Sequence, residues 1–318
     1  MMLEQEGIIR NRHFFTGMAT LLGGKAGIKA GEYEFKTAMP AWEVLNALVK
    51  GHVKHHLITI PEGYTLFQIA QYFGDLDIVS KEAFLQMATS PFFINSLGLS
   101  EAPLNQYSGG ILSTLEGYLF PETYSLVKEM PPEEVIQMMV RQFKKVFGPE
   151  LAGMTSQPAI SPRDVVILAS IIEKETPLSE EKPLISAVFH NRLKKKIPLQ
   201  SDPTVIYGIK NFNGNLTKKD LLRPTPYNTY LRSGLPPTPI CNPGKESILA
   251  AFHPAPVPYL YFVSKNDGSH HFSSNFEDHN RAVWKYQKLR KEISGKPHQS
   301  LREQKYFQSS QKNNLTKK

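Results

Sequence analysis

The stretch 164-DVVILASIIEKETPLSE-180 decides how the rest of the chain is interpreted. Eight apolar or small residues run without a break from Val165 to Ile172, and Glu173, Lys174 and Glu175 follow at once. A segment that is apolar at every helical angle is typical of a helix buried on all sides. We therefore predict a central buried helix over 162–175 that ends in two carboxylates.

These carboxylates have two interpretations. A Glu beside a Lys at a helix end is usually solvated and has no special role. Alternatively, the core holds one carboxyl group at the floor of a cleft, where desolvation favours its protonated form and suits it to general acid catalysis. Because Glu175 lies about 200° around a helix from Glu173, both side chains cannot face one cleft. Residue type alone leaves both interpretations open.

The composition indicates a globular protein with a basic surface. The sequence has 318 residues, of which 41% are hydrophobic and 21% charged, and its formal net charge is +8. This length suits two ordinary domains with a real core. A basic surface favours polyanions such as nucleic acid, anionic lipid or acidic wall polymers. No nucleic-acid-binding module is recognisable, so we expect no nucleic-acid partner.

Cysteine and histidine usage argues against several kinds of site. Cys241 is the only cysteine, so neither an intrachain disulfide nor a zinc site with several thiolates can form. His270, His271 and His279 match no zinc spacing, and no Gly-rich phosphate loop is present. We expect no metal and no cofactor. No run reaches the roughly 18–20 apolar residues of a membrane span, and the N-terminus has no signal-peptide pattern.

The front of the chain contains an incomplete repeat. The segment 7-GIIRNRHFFTGMAT-20 resembles 77-DIVSKEAFLQMAT-89, with Phe14 matching Phe84. The second copy follows 57-LITIPEGYTLFQIAQYFGDLDIV-79, which predicts a strand, a turn and a capped helix. The first copy lacks this lead-in, so we expect further sequence upstream. Chance similarity between two short helical segments is the alternative.

The order of predicted elements indicates an α+β fold in three parts. Residues 1–104 form an N-terminal α+β module, in which Tyr33 and Phe35 alternate with charged residues as on a half-buried strand. Residues 105–291 form a mixed α+β domain around the central helix, and the polar tail 292–318 is expected to be disordered. The other elements predicted in the second part are helices at 132–147, 180–196 and 275–291 and a strand at 259–265.

Polar and aromatic side chains follow the central helix on loops stiffened by proline, in 199-LQSDPTVIYG-208 and 224-PTPYNTYLRSGLPPTPICNPG-244. Aromatic faces pack on the CH groups of sugars, and amides and carboxylates bind hydroxyls, so these loops suit a sugar-binding groove. Ordinary surface turns are the alternative. The candidate groove residues are Gln200, Asp202, Thr204, Tyr207, Tyr227, Asn228 and Tyr230.

Several long segments, taken in order, resemble a known family. The chain is similar over residues 1–290 to the YceG-like endolytic murein transglycosylases (MltG). The segments that carry the resemblance are 29-KAGEYEF-35, 57-LITIPEGYT-65, 116-EGYLFPETY-124, 168-LASIIEKET-176, 188-VFHNRL-193, 199-LQSDPTVIYG-208, 227-YNTYLRSGLPPTPICNPG-244 and 259-YLYFV-263.

The resemblance implies a bacterial enzyme with one N-terminal transmembrane helix, a LysM-like subdomain and a catalytic domain on the outer, periplasmic side of the cytoplasmic membrane. It implies cleavage of the β-1,4 bond between N-acetylmuramic acid and N-acetylglucosamine in nascent peptidoglycan strands, beside the penicillin-binding proteins. The family's catalytic Glu falls on Glu173, with Glu175 in reserve. The sequence departs from the family pattern in lacking the anchor and the first strand, and in having Thr238 where Gly is frequent.

The implied reaction explains why one carboxylate suffices. Hydrolytic glycosidases use two, whereas in a lytic transglycosylase the muramyl C6 hydroxyl attacks its own C1 and leaves a 1,6-anhydro end. Glu173 would donate a proton to the glycosidic oxygen and then accept one from the C6 hydroxyl. Three alternatives stay open: a muramidase with Asp202 or Glu175 as second carboxylate, a non-catalytic wall-binding scaffold, and a nucleic-acid binder. Residues expected to position the sugar are Gln200, Asp202, Tyr227 and Asn228.

Overall fold

Helices and three small antiparallel sheets make up the part of the chain that the structure, a computed structural model, describes: residues 2–22, 27–36, 39–99, 105–107, 110–112, 114–153 and 160–288. This mixture confirms the predicted α+β class. Strand β1 (His56–Thr59) pairs with β4 (Thr123–Leu126), β2 (Asn105–Tyr107) with β3 (Gly110–Leu112), and β5 (Tyr261–Ser264) with β6 (His270–Ser273). The helices are α1 (Met2–Gln5), α2 (Arg12–Leu21), α3 (Ala41–Lys50), α4 (Leu66–Asp75), α5 (Lys81–Ala88), α6 (Pro91–Ser96), α7 (Pro132–Gly153), α8 (Pro162–Glu175), α9 (Lys182–Lys194), α10 (Asp202–Tyr207), α11 (Lys218–Leu221), α12 (Lys245–Phe252) and α13 (Phe276–Val283), which continues as a π-helical turn at Trp284–Lys288.

Helix α8 occupies the centre of the fold, as its sequence predicts. It begins after Ser161, whose hydroxyl accepts the N–H of Asp164, and Pro162 occupies the first turn, where its missing N–H costs nothing. All eight residues from Val165 to Ile172 are buried, against α9, α10 and α12. Full burial of each large aliphatic side chain contributes about 1.5–3 kcal/mol, so packing fixes this helix and the carboxylates at its end.

The segment after β1 forms a tight turn into α4. Gly63 adopts a φ of 76°, a left-handed conformation that glycine takes without strain. Thr65 then caps α4: its hydroxyl accepts the N–H of Gln68, whose side chain accepts the N–H of Thr65 in return. The predicted strand, turn and capped helix are confirmed, and the turn holds Glu62 at a fixed place.

The described residues form two hydrophobic clusters. The larger one joins β1, α4 and α5 to α7, α8, α9 and α12, and so includes residues before and after the predicted boundary at 104/105. The division into residues 1–104 and 105–291 stays a prediction, and the predicted tail 292–318 lies outside the described residues. The smaller cluster consists of Ile9, Phe15, Ala19, Val44, Leu45 and Leu48.

Two local predictions at the front of the chain were wrong. Residues 33–35 form no strand; the rings of Tyr33 and Phe35 stack 5.8 Å apart, and the neighbouring carbonyl of Glu32 accepts the N–H of Lys54 instead of joining a ladder. The predicted match of Phe14 with the buried Phe84 is also wrong, because Phe14 is 66% exposed whereas Phe15 is 1% exposed. The two helical segments correspond when Phe15, rather than Phe14, is aligned with Phe84.

The C-terminal half also differs in detail from the prediction. Strand β6 lies between the predicted strand at 259–265 and the predicted helix at 275–291, where no strand was predicted, and its backbone pairs with β5. The predicted helix 275–291 begins at Phe276 and changes to π-helical geometry at Trp284. Within the described residues, no helix combines the length and the apolar character that spanning a bilayer requires.

Candidate active site

Glu173 lies in the last turn of α8 and is held through one carboxylate oxygen. Its Oε2 accepts the Ser247 hydroxyl at 2.6 Å, the Gly244 N–H at 3.0 Å and the Lys182 ammonium at 3.4 Å. Its Oε1 has no hydrogen-bond partner among the residues that the structure describes. The side chain is 8% exposed. The carboxyl group is therefore enclosed and rigidly oriented, with one oxygen left for a ligand.

Lys182 places a buried positive charge beside this carboxyl group. It is the first residue of α9, is 2% exposed, and its Nζ also lies 3.9 Å from Oε2 of Glu62. A buried ammonium needs such carboxylate partners, because its desolvation costs several kcal/mol. Glu62 extends from the turn after β1, and its side chain is 50% exposed. Partial burial, followed by the negative charge of Glu173, raises the pKa of Glu62.

Position 244, directly before α12, needs a glycine because the Glu62 side chain lies too close for a Cβ, and not because of the backbone conformation there. Its φ is −76°, which any residue adopts. A Cβ at this position would lie 1.8 Å from Oε1 of Glu62, an impossible distance. The missing side chain thus lets the carboxylate of Glu62 lie against the same peptide group that donates to Glu173.

Glu175 points to a different set of neighbours, as helical geometry predicts. It accepts the Ser201 hydroxyl at 2.6 Å. Burial raises the pKa of Glu175 to about 7, and the nearby charge of Asp202 adds to that effect, while Ser201 and Arg192 oppose it. Glu175 is therefore a second enclosed acid, in a polar cluster separate from the partners of Glu173.

Three of the predicted groove residues belong to the cluster around Glu175. Asp202 accepts the Tyr230 hydroxyl at 2.6 Å, and Gln200 accepts from the Arg192 guanidinium at 3.2 Å. Gln200 adopts a φ of 55°, a strained conformation for a residue with a side chain. The structure thus brings Gln200, Asp202 and Tyr230 together beside Glu175 rather than beside Glu173.

The predicted residues Tyr207 and Tyr227 surround a third acid, Glu116. The Tyr207 hydroxyl donates to Oε2 of Glu116 at 2.9 Å, and the two tyrosine rings lie 4.9 Å apart. Glu116 is 2% exposed, and burial raises its pKa to about 7 against the opposing hydrogen bonds from Leu66 and Tyr207. Sequence reasoning did not single out Glu116. The available signal was a carboxylate between Leu115 and the apolar segment that begins at Tyr118.

The predicted residues Thr204 and Asn228 are buried inside the proline-rich loops that follow α9. Thr204 is fully buried and donates to the Ser201 carbonyl at 2.7 Å. Asn228 is also fully buried, and its amide donates to the carbonyls of Leu221 and Arg223. Both side chains are engaged in holding the loops in place, and direct contact with a sugar stays a prediction for them.

A groove of about 860 Å³ opens at the opposite end of α8. Of the predicted residues only Asn228 lines it, together with basic side chains that include Arg163, Lys194 and Arg232. Arg163 lies ten residues before Glu173, or about 15 Å along the helix. This groove is thus distinct from the immediate surroundings of Glu173.

The histidines considered as metal ligands make other contacts. His270 Nδ1 lies 2.6 Å from Oε2 of Glu181, and the ring of His279 stacks on Tyr261. Burial lowers the pKa of His279 to about 4. No group of three or more His, Cys, Asp or Glu side chains within the described ranges is arranged to hold a metal ion.

Fold and site together define an α+β protein that presents one anchored glutamate at the end of a buried central helix. The model of the YceG-like family matches residues 1–285, and the chain belongs to that family. It is 35% identical over 268 residues to the endolytic murein transglycosylase of Bacillus subtilis (strain 168), covering 83% of this chain and 74% of that protein.

Two further comparisons also match the chain to proteins of this kind. The chain is 32% identical over 303 residues to the endolytic murein transglycosylase of Streptococcus pneumoniae serotype 2, covering 88% of this chain but 54% of that protein, so it spans about half the length of the pneumococcal relative. A YceG-like protein of Listeria monocytogenes, whose crystal structure was solved at 2.6 Å, has 34% sequence identity and a TM-score of 0.65, covering 88% of this chain and 93% of that one.

Proposed function

We propose that this chain is a lytic transglycosylase that cleaves the bond between N-acetylmuramic acid and N-acetylglucosamine within nascent peptidoglycan strands. The product ends in 1,6-anhydro-N-acetylmuramic acid, which terminates elongation of the strand. Family membership and relatives named endolytic murein transglycosylase support the reaction class. The observation that carries the proposal for the site is the geometry of Glu173, with three donors on Oε2 and Oε1 left for the substrate.

Glu173 acts as the general acid. The donors on Oε2 hold the carboxyl group in one orientation and leave Oε1 to carry the proton. That proton goes to the glycosidic oxygen as the bond from C1 to O4 breaks, and the muramyl C6 hydroxyl closes on C1. Because the nucleophile belongs to the same sugar, its effective concentration is high and no bound water has to be activated. Carbon undergoes no net oxidation or reduction, so the step needs no redox cofactor.

The polar clusters beside the helix end position the glycan. Gln200, Asp202 and Tyr230 lie around Glu175, which follows the proposed acid by two residues in α8. Tyr207 and Tyr227 offer aromatic faces near Glu116. A strand that crosses the end of α8 would meet the acid and then these side chains. Thr204 and Asn228 would contribute by fixing the loops.

The family resemblance supports proposals beyond the reaction. Residues 1–104 are proposed to contain a LysM-like subdomain, and residues 105–291 to form the catalytic domain. The native protein is proposed to work at the outer face of the cytoplasmic membrane, beside penicillin-binding proteins. Its substrate is proposed to be the peptidoglycan strand.

The test is mass spectrometry of glycan fragments after incubation with uncrosslinked peptidoglycan strands. The parent chain should release anhydro-ended fragments and Glu173→Gln should release none, while a cooperative melting transition above the assay temperature shows that the variant is folded. Glu180→Gln, at an exposed position between α8 and α9, is the matched control and should keep turnover. Fragments one water heavier would instead make the protein a muramidase, and retained cleavage by Glu173→Gln would reject the assigned acid.

A muramidase would need a second carboxylate near Glu173. The predicted candidates for that role, Asp202 and Glu175, bind Tyr230 and Ser201 instead. Among the described residues, neither forms a hydrogen bond with Glu173 or with its donors. The structure therefore offers no support for those two residues as its catalytic partner.

A further inference from the structure

Glu62 contacts the same ammonium as Glu173, although it lies 111 positions earlier in the chain. The buried ammonium of Lys182 lies 3.4 Å from Oε2 of Glu173 and 3.9 Å from Oε2 of Glu62. The two oxygens are therefore no farther apart than these two distances combined. This upper limit places both carboxylates within reach of a single sugar residue.

The turn that carries Glu62 is fastened to the site by its backbone. The Gly63 N–H donates to the Asn242 carbonyl at 2.9 Å, and the Gly63 carbonyl accepts the Lys174 ammonium at 3.3 Å. The absence of a side chain at Gly244 leaves the space that the Glu62 carboxylate occupies. Glu62 is thus held in place while its side chain stays 50% exposed and open to a ligand.

The proposed reaction moves two protons on one face of the sugar. A 1,6-anhydro bridge joins C1 and C6 on the face from which the β-linked leaving group departs. The donor to O4 and the acceptor from the C6 hydroxyl must then be neighbours on that same face. Glu62 and Glu173 are neighbours because both contact one ammonium, so a sugar bound with this face toward them would meet both.

We propose that Glu62 is a second catalytic carboxylate, which accepts the C6 hydroxyl proton while Glu173 protonates the departing oxygen. This inference rests on the proposed function. The C1–O4 bond breaks and the C1–O6 bond forms; Glu173 loses one proton and Glu62 gains one, so no water is consumed. Lys182, between the two, restores the resting state by giving a proton to Glu173 and taking one from Glu62.

The charges around Glu62 suit it to the role of base. Lys182 from α9 favours its ionised form, whereas Glu173 from α8 and Glu246 from α12 disfavour it; Lys174, also from α8, contacts the adjacent peptide. Burial and the two carboxylates outweigh the ammonium, so the pKa of Glu62 is raised. A base with a raised pKa is a stronger acceptor for a hydroxyl proton.

Other acids near the site fit the role less well. Glu116 is enclosed, and its two oxygens are occupied by Leu66, Tyr207 and Asn242. Glu175 faces Ser201, and Glu246 accepts the Ser179 hydroxyl. Among these acids, Glu62 alone combines an exposed carboxylate with a cation shared with Glu173.

The experiment compares kcat, KM and the pH profile of Glu62→Gln with those of the parent. The expected result is a kcat at least about 100-fold lower with KM changed by less than about threefold, since a positioned base contributes about 10²–10⁴-fold. The parent should lose activity toward acid pH as Glu62 becomes protonated, and this acid limb should be absent from the residual activity of Glu62→Gln. Glu62→Asp should recover part of kcat, because it keeps the base but shortens its reach.

Glu246→Gln is the matched control. It removes a nearby carboxylate that forms no ion pair with Lys182 among the described residues, and its kcat should stay within about threefold of the parent. Melting temperatures of all variants separate a loss of fold from a loss of chemistry. A kcat of Glu62→Gln within threefold of the parent, or a change in KM alone, overturns the role of Glu62 while the anhydro product of the parent still upholds the proposed function. A parent that yields no anhydro ends overturns both.

Discussion

The ammonium of Lys182 lies 3.4 Å from the carboxylate of Glu173, and both side chains are almost fully enclosed. The buried ammonium depends on its carboxyl neighbours Glu173 and Glu62, because an ion removed from water needs hydrogen-bonding partners and a charge of opposite sign. The pair also joins the end of α8 to the start of α9. The orientation of the proposed acid is therefore coupled to the packing of two core helices.

Replacing Lys182 with Met should destabilise the protein and reduce turnover. The variant leaves Oε2 of Glu173 without one of its donors and Glu62 without its cation, and a buried polar group that loses its partner costs about 1–3 kcal/mol. Urea unfolding at neutral pH measures the loss. Lys194→Met, at the exposed end of the same helix, is the control and should change stability by no more than about 0.5 kcal/mol. Equal stability of the two variants would contradict the role of this pair.

Stability should fall between mildly acid and mildly alkaline pH. Burial raises the folded-state pKa of both Glu116 and Glu175 from 4.5 to about 7. A carboxyl group with a raised folded pKa stabilises the fold below its unfolded pKa, and that contribution is lost as the pH rises through about 7, at about 1.4 kcal/mol for each pKa unit. Melting temperatures measured from pH 4 to pH 9 should show the decline.

Glutamine variants separate the contributions of Glu116 and Glu175 to this dependence of stability on pH. Glu175→Gln and Glu116→Gln should each flatten part of the decline, because each amide has no proton to lose. Glu62→Asp keeps both buried acids and should retain the full slope. A parent whose stability rises across this pH range would show that neither group is protonated in the folded state at acid pH.

The bounds of α8 could be predicted because the signal is local. Uniform apolarity, a capping Ser161 and Pro162 lie within one segment, and Pro162–Glu175 matches the predicted helix residue for residue. The turn and capped helix after β1 are local signals of the same kind. The strand predicted at residues 33–35 failed because alternation alone cannot supply the partner that a strand needs.

The partners of Glu173 could not be predicted, because they come from distant parts of the sequence. Glu62, Lys182, Gly244 and Ser247 carry no common spacing or motif, and only the packing of β1, α9 and α12 around α8 brings them together. The groove residues illustrate the same limit. They were grouped by type, and the fold divides them between Glu175, Glu116 and the interior of the loops.

Gly244→Ala should reduce turnover more than it reduces stability. A methyl group at this position would lie within 1.8 Å of the Glu62 carboxylate, which can move because it is the end of a partly exposed side chain. Its displacement removes Glu62 from Lys182 and disturbs the N–H that donates to Glu173. We expect kcat to fall at least about tenfold if Glu62 serves as base.

Gly17→Ala provides the control for that substitution. Gly17 lies in α2, and an added Cβ there meets nothing within 4 Å. Alanine is the better helix former by about 1 kcal/mol, so this variant should be slightly more stable than the parent with unchanged kcat. Unchanged kcat in Gly244→Ala would show that the contact between Glu62 and this loop has no part in turnover.

Asn242→Ala should weaken the link between the turn that carries Glu62 and the loop before α12. The fully buried Asn242 side chain accepts the N–H groups of Gly117 and Leu119, both at 2.9 Å, and its amide donates to the Tyr64 carbonyl and to Glu116. Each buried polar group left without a partner costs about 1–3 kcal/mol, so we expect a total loss of several kcal/mol in the free energy of unfolding. Asn95→Ala, an exposed site in α6, should change it by no more than about 0.5 kcal/mol. A small loss at Asn242, comparable to that at Asn95, would mean that backbone hydrogen bonds and apolar packing are enough to hold the two segments together, and Glu62 would then keep its place beside Lys182 without this side chain.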